Sequence, residues 1–425
     1  MTAPTEPTRP AIGLVALNAL PLFDERARGS IGGMETRCAI LARGMASRGW
    51  NVSVFVQSCG KSREACFDGV FLRRFDPFWL QMELDMRARF SKRWWFPIVN
   101  GTRNEISLLW RVPLYLLFRP FPNLFGSHFW GKWKELGAVL CFGNNDVSAR
   151  TIADCRRYGI PSMLMIASDS DLDEDYAETA RGFNRYGASQ SGCWYALTHA
   201  NAVVVQTELQ QKFLAERFGR EGVLLRNPLP LPPPGMRFDC LDRNTALWIG
   251  RTDNHHKRPK LCLDLARQLP EIQFTMVVNA PSLRQFREFE QIAPANVRLI
   301  ERVDPSRMWE LLANSRLFVS TSSSAFEGFP NVFLQAAVAR VPVVSLEVDP
   351  DGLFSKIGGG FCAQGDFAEF VTTVKKAWAD KEFGDAASAK LADYVEKRHS
   401  LGSSLDSLVD AISAIRPHAG DAGQG

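Results

Sequence analysis

Residues 320–345 read STSSSAFEGFPNVFLQAAVARVPVVS. The run has three parts: a small-residue loop from Thr321 to Ala325, a turn Glu327-Gly328-Phe329-Pro330-Asn331, and an apolar helix running into a Val-rich strand. Pro330 presets the backbone just before the helix starts, and Gly328 permits close approach of a ligand to the main chain. The first helical turn leaves N–H groups without intrahelical partners, which makes a ready anion site. Glu327 stands at the mouth of the turn, and Gln335 lies two helical turns beyond it. A carboxylate beside free N–H groups suits a ligand that carries both hydroxyls and phosphate.

Outward from this run, the same alternation of apolar strand and amphipathic helix repeats in both directions. Downstream of a Pro-rich linker (Asn227-Pro228 and residues 230–235, PLPPPG), a strand at 246–250 leads to Arg251, a polar loop and Lys257. Further strands are expected at 272–278, 296–300 and 317–320, with helices at 281–292 and 305–314. His255 and His256 read as solvated loop residues near the ligand. Upstream, strands are expected at 11–19, 51–57, 138–142, 160–167 and 202–206. A glycine loop with Gly32 and Gly33 precedes the first helix. Thr207 and Gln210 form a capping box on a later one. Residues 366–416 read as helices.

Glu327 to Gln335 resembles the E-x7-E signature of retaining glycosyltransferases of family 4. Several other segments match that family in order, among them GGMETRCAILARGMASRGWNVSV at the first loop. The resemblance implies an α/β GT-B fold: two Rossmann-like domains facing a cleft, with a C-terminal helix crossing back to the N-terminal domain. The domains are expected at 1–230 (acceptor side) and 231–398 (nucleotide-sugar donor side), with the crossover helix and tail at 399–425. It further implies that Arg251 and Lys257 hold the donor phosphates and that Glu327 orients the donor sugar. Gly32, Gly33, Gly328, Phe329, Pro330 and Asn331 would line the donor, with Val303 near the base and Gln335 near the ribose. Two departures from the pattern are plain. The second acid is Gln335, whose amide makes neutral rather than charge-assisted bonds. Ser168 or Asp169 stands where the family often has a histidine. Glu35 reads either as a site residue or as an acid favoured by the first turn of its helix.

The run Ser168-Asp169-Ser170-Asp171-Leu172-Asp173 falls at a strand's carboxyl end, where open α/β sheets bind ligands. Its readings are an acidic helix cap and recognition of acceptor hydroxyls by Ser168, Asp169 or Asp171. A calcium loop would need Gly at Glu174 and Glu at Ala180.

The chain has 425 residues, 46% of them hydrophobic, enough for two cores. A net charge of +4 with no basic tail argues against nucleic acid. The nine cysteines are dispersed without C-x-x-C pairs or metal-ligand spacing, as in a reduced cytoplasmic protein. No metal site and no cofactor are expected, the nucleotide-sugar being a co-substrate. No run of 18 apolar residues occurs. Residues 71–135 hold six of the eleven tryptophans and eleven Lys or Arg against five acids. That mixture fits contact with a membrane surface, a packed helical insertion, or, least well, single-stranded nucleic acid.

The implied activity is transfer of a sugar from a nucleotide-sugar to a glycan or lipid-linked acceptor with retention of configuration. Cell-surface polysaccharide or glycolipid synthesis at the inner face of the membrane is the implied setting. A non-catalytic scaffold of the same fold, and a nucleotide-sugar hydrolase or epimerase, are the alternatives.

Overall fold

The structure is a computed structural model, and the residues it describes are 10–24, 26–27, 32–57, 64–75, 110, 113, 135–238, 243–280 and 282–415. Two parallel sheets organise them. The first contains β1 (Ala11–Val15), β2 (Asn51–Val56), β3 (Glu64–Phe67), β4 (Val70–Arg74), β5 (Ala138–Phe142), β6 (Ser162–Met165), β7 (Ala202–Val205) and β8 (Gly222–Leu224), in the order β3-β4-β2-β1-β5-β6-β7-β8. The second contains β9 (Thr245–Arg251), β10 (Phe274–Asn279), β11 (Val297–Ile300), β12 (Ser315–Ser320), β13 (Val343–Ser345) and β14 (Phe361–Cys362), in the order β11-β10-β9-β12-β13-β14. All neighbours pair parallel except β3 and β4. Strands such as AVLCF and AVVV are buried at every position because helices cover both faces of the sheet.

The helices of the first half are α1 (Gly33–Ser47), α2 (Asp146–Arg157), α3 (Gln190–His199) and α4 (Glu208–Phe218). Those of the second are α5 (Pro259–Gln268), α6 (Leu283–Ile292), α7 (Pro305–Ala313), α8 (Asn331–Val338), α9 (Phe367–Ala379), α10 (Lys381–Arg398) and α11 (Leu401–Ile415). Asn145, Ser189, Thr207, Ser282 and Asp366 each cap a following helix through the side chain. Gln210 completes only half of the expected capping box. Its N–H donates to Thr207 Oγ1 at 3.1 Å, but its side chain accepts from Gln206 N at 2.8 Å instead of reaching back to Thr207.

One expected boundary is corrected. Residues 71–74 belong to β4 of the first sheet rather than to an insertion. Asp68 and Gly69 both take positive φ (51° and 76°), the conformation of a two-residue hairpin turn, and they join β3 to β4. Beyond Phe75 the aromatic and basic segment lies outside the described residues, apart from Trp110, Pro113 and Glu135.

The last helix returns to the first sheet, as the resemblance implied. Leu405, Leu408, Ala411 and Ile412 of α11 are buried in the same core as Leu41 and Met45 of α1 and Val52 and Val54 of β2. Full burial of a Leu or Ile side chain contributes about 1.5–3 kcal/mol. A Cβ at Gly44 would lie 2.8 Å from Leu405 Cδ1, so the glycine is what lets the two helices approach. At the start of this crossing His399 is fully buried. Burial pulls its imidazole down to about 4, so it is neutral and its Nδ1–H donates to Asn227 O at 2.7 Å.

In each sheet the strand order reverses at one point, between β1 and β5 and between β9 and β12. Open α/β sheets bind ligands at the carboxyl ends of strands flanking such a point. Arg251 ends β9, and the Thr321–Glu327 loop follows β12.

Candidate active site at the cleft

The site is assembled by two loops that lock together. After β9, Asp253 Oδ1 accepts the N–H groups of His256 (2.8 Å) and Lys257 (3.0 Å), folding residues 253–257 into a tight turn. After β12, Thr321 Oγ1 donates to Lys257 O (2.8 Å) while accepting from Trp248 Nε1 (2.9 Å), and Ser323 N donates to His256 O (2.8 Å). Arg258, at φ 49°, sends its guanidinium to Thr321 O (2.7 Å), Ser322 O (2.9 Å) and the Glu347 carboxylate. The small residues of Thr321 to Ser323 thus fasten one loop onto the other.

These loops bring the three expected catalytic side chains together. Lys257 Nζ contacts Glu327 Oε1, with the lysine side chain 20% and the glutamate 10% exposed. Burial first, and then the Arg251 charge, pull the Lys257 ammonium down to about 7. Arg251 is half exposed and forms an ion pair with Asp253 at 3.3 Å.

His256 is the residue that sequence reading missed. It is buried, not solvated as expected, because the Thr321–Ser323 loop folds over it. Its Nδ1 lies 3.0 Å from Arg251 Nη2 and its Nε2 lies 3.0 Å from Glu327 Oε1, the latter without hydrogen-bond alignment. Arginine can only donate, so Nδ1 accepts and the ring proton sits on Nε2, facing the carboxylate. Burial, with Lys257 and Arg251 adding their charges, pulls His256 down to about 3, which keeps it neutral. The imidazole therefore lies between Arg251 and Glu327.

The remaining donor-side candidates have different fates. Gly328 makes room for the other domain: a Cβ there would meet Gln210 Nε2 at 2.6 Å and Gln206 Oε1 at 3.2 Å. Phe329 is a core residue, 4% exposed, with its ring 4.6 Å from that of His399. Its N–H donates to Gln206 Oε1 (3.3 Å) and its carbonyl accepts from Asn227 Nδ2 (3.1 Å). That backbone N–H is thus engaged within the protein. Pro330 is the N-cap of α8 at φ −64°. Asn331 spans the cleft, donating to Gly33 O at 2.9 Å and accepting from Asn227 Nδ2 at 3.0 Å. Gln335 lies half-buried on α8, and Val303 packs on the core cluster that includes Phe329 and Phe333.

Across the cleft, Gly32 N donates to Glu35 Oε2 (3.1 Å) at the start of α1. Burial raises the Glu35 carboxyl, while hydrogen bonds from the Glu35 and Gly32 N–H groups and from Asn18 oppose that rise. Glu35 caps its own helix, and the Arg251 charge adds a smaller lowering of its carboxyl. In the acid run, Asp171 Oδ2 accepts from Ala167 N (2.7 Å) and Ser168 N (3.4 Å), which is the capping role. Ser168 Oγ pairs with Ser170 Oγ at 2.8 Å. Asp169 accepts from Gln210 Nε2 at 2.8 Å, and burial pushes its carboxyl up to about 7.

Among the described residues, no group of three or more His, Cys, Asp or Glu side chains is placed to hold a metal ion. No helix among them is long and apolar enough to cross a membrane. Two surface recesses, of about 830 Å³ beside Arg243, Arg316 and Arg340 and about 320 Å³ beside Asp146 and Ser189, lie away from this cluster.

Residues 243–380 match the family model described as glycosyl transferases group 1. Among solved structures, sucrose-phosphate synthase from Thermosynechococcus elongatus is similar, at 14% identity and TM-score 0.67, over 96% of this chain and 99% of that one. The E. coli trehalose-6-phosphate protein bound with UDP-2-fluoro glucose is similar at 10% identity and TM-score 0.59, over 96% of this chain and 100% of that one. S. aureus TarM, in complex with Fondaparinux, alpha-GlcNAc-glycerol and UDP, matches at 16% identity and TM-score 0.51 over 65% of this chain, which spans only 55% of TarM's length. Comparison with curated proteins by sequence gives no match. The fold is therefore GT-B, and Arg251, Lys257 and Glu327 all lie within the segment that matches glycosyl transferases group 1.

Proposed function

We propose that the protein is a retaining glycosyltransferase of family 4 type that transfers a sugar from a nucleotide-sugar to a glycan or lipid-linked acceptor. The observation that carries this reading is the convergence of Arg251, Lys257, His256 and Glu327 at the reversal point of the second sheet. Two cations meet the diphosphate and one carboxylate meets the sugar hydroxyls.

In the reaction, the bond between the anomeric carbon and the phosphate oxygen breaks, and the electron pair leaves with the diphosphate. An acceptor hydroxyl oxygen bonds to the anomeric carbon on the same face, and its proton passes to the departing phosphate. Arg251 and Lys257 stabilise the leaving charge, at about 1.5–3 kcal/mol for each charge-assisted contact. Glu327 positions the sugar. Lys257 leaves the Glu327 contact to meet phosphate, and His256 stays as the partner of the carboxylate. The two cations take the place of a divalent metal. Gln335 faces the ribose and Val303 the base.

The acceptor class fits cell-surface polysaccharide or glycolipid synthesis at the cytoplasmic membrane face. The membrane-contact reading of 71–135 rests on its composition alone.

The test is thermal stability against UDP-, GDP-, ADP- and dTDP-sugars without added metal. One nucleotide at 100 times its Kd stabilises by about 2.7 kcal/mol, on the order of 3 °C for a chain of this size. The expected result is a shift with one base, abolished in Lys257→Ala. No shift with any nucleotide overturns the reading in favour of a non-catalytic scaffold, to which Gln335 in place of an acid points. Donor breakdown that is indifferent to acceptor would indicate a hydrolase.

A further inference from the structure

The larger recess, of about 830 Å³, lies at the other end of the second sheet from the Glu327 cluster. Asn244 precedes β9, Arg316 is the second residue of β12 and Pro342 precedes β13, so the recess is cut at the amino ends of these strands. The loops of Arg251 and Glu327 follow the carboxyl ends of β9 and β12. β9 alone runs seven residues, roughly 23 Å at about 3.3 Å per residue, so one diphosphate does not reach both ends.

The walls carry mostly one sign of charge. Arg243, Arg316, Arg340 and Lys381 line the recess, against one acid, Asp385. Arg243 is engaged within the fold: its guanidinium donates to Phe238 O (2.8 Å), Ala339 O (2.7 Å) and Arg340 O (2.7 Å). The last two carbonyls close the carboxyl end of α8, which would repel an anion, and Arg243 covers them. The other three cations form no ion pair among the described residues. Arg316 has its guanidinium 5.1 Å from the Trp378 ring centre, a contact that holds the group and leaves its charge in place.

Arg340 sits just after α8 at φ 54°. Its N–H donates to Ala337 O (3.1 Å) and Val341 N donates to Ala336 O (2.8 Å), the paired bonds of a helix end whose left-handed residue is usually glycine. A side chain is strained there. The Arg340 guanidinium makes no hydrogen bond among the described residues, so packing does not account for an arginine at this position.

We propose that the recess binds a phosphate group, carried by a soluble phosphorylated ligand or by an anionic lipid headgroup, at a site separate from the donor site. Two planar guanidiniums and one ammonium lining a single concavity match a compact, multiply charged anion. A phosphomonoester carries about −1.5 to −2 near neutral pH, whereas a lone carboxylate would leave two of the three cations unmatched.

The experiment is calorimetric titration of the full chain with inorganic pyrophosphate, together with cosedimentation on phosphatidylglycerol and phosphatidylcholine vesicles. Pyrophosphate also suits Arg251 and Lys257, so only binding that persists in Arg251→Ala is counted. Arg340→Gly and Lys381→Gln should each weaken that binding about five-fold, and the two together at least about ten-fold. Arg298→Gln, an exposed cation on β11, should leave it unchanged. Arg340→Gly should keep or raise Tm, because glycine suits φ 54°. If that variant does not fold, Lys381→Gln carries the binding arm. Weakened pyrophosphate binding assigns a soluble ligand, and weakened phosphatidylglycerol binding alone assigns a headgroup.

The proposal is overturned if Arg251→Ala binds neither pyrophosphate nor phosphatidylglycerol vesicles, or if that binding is indifferent to the recess substitutions. It is also overturned if Arg298→Gln weakens binding as much as Arg340→Gly, since surface charge in general would then explain it. The nucleotide-sugar shift should be the same in wild type and in both recess variants, so the donor site is read apart from this one.

Discussion

Replacing Lys257 by methionine separates what the Lys257–Glu327 contact does for stability from what it does for ligand. Both side chains are mostly buried, at 20% and 10% exposure. Removing the lysine leaves the Glu327 carboxylate facing only the neutral His256, whose Nε2 lies 3.0 Å away. Breaking one side of a buried ion pair costs about 3–5 kcal/mol. The residual exposure lowers the expected loss to about 2–4 kcal/mol. Lys257→Met together with Glu327→Gln removes both charges, so most of that stability returns. Nucleotide affinity behaves differently. The lost charge-assisted phosphate contact is about 1.5–3 kcal/mol, which is roughly 10- to 150-fold in Kd, and the second substitution does not restore it. Glu327→Gln alone frees the lysine and is expected to tighten nucleoside diphosphate binding while abolishing transfer. Urea midpoints read the stability arm and isothermal titration calorimetry reads the affinity arm. A double variant as unstable as Lys257→Met, or a Lys257→Met Kd within about two-fold of wild type, would refute the reasoning.

Three further outcomes are expected. Nucleotide affinity should fall as pH rises through about 7, because Lys257 must carry its proton to hold phosphate and its folded pKa is depressed. Lys257→Arg, charged throughout, should flatten that profile in calorimetric titrations. Asp169→Asn should stabilise the chain increasingly as pH rises from about 4 to 7. The native carboxyl is raised to about 7, so the folded state binds more protons than the unfolded one over that range and loses stability as they leave. A gain in Tm that does not change with pH would contradict this. Leu408→Ala, fully buried where α11 meets the first sheet, should cost about 2–5 kcal/mol and leave the nucleotide shift in place.

Much of the fold was legible because parallel strands buried on both faces read as unbroken apolar runs, and Thr207 declares its helix start in three letters. The β3–β4 hairpin carried a readable signal, Asp68-Gly69, which the aromatic and basic residues just beyond it overshadowed. Arg251, Lys257 and Glu327 stand out through the family resemblance, which their position in loops after strands supports. His256 did not, since its burial depends on Ser323 binding its carbonyl from 67 residues away. Gly328 showed a similar limit. Its lack of a side chain read as space for a ligand, but the space holds Gln206 and Gln210 of the other domain. Local sequence exposes which groups are chemically able. Which of them are covered is set by partners far along the chain.

The crossing of α11 has a consequence for how the chain is made. The first sheet is encoded by residues 11–224, but Leu405, Leu408 and Ile412 emerge only after the whole second sheet has been synthesised. The second sheet and its covering helices α5 to α10 are contiguous, so they are free to fold as soon as they clear the ribosome. The amino-terminal half therefore waits with the face of α1 around Gly44, where Leu401 and Leu405 pack, uncovered, although it is translated first. Completion runs backwards along the chain, and the nascent protein carries an open hydrophobic seam until α11 closes it.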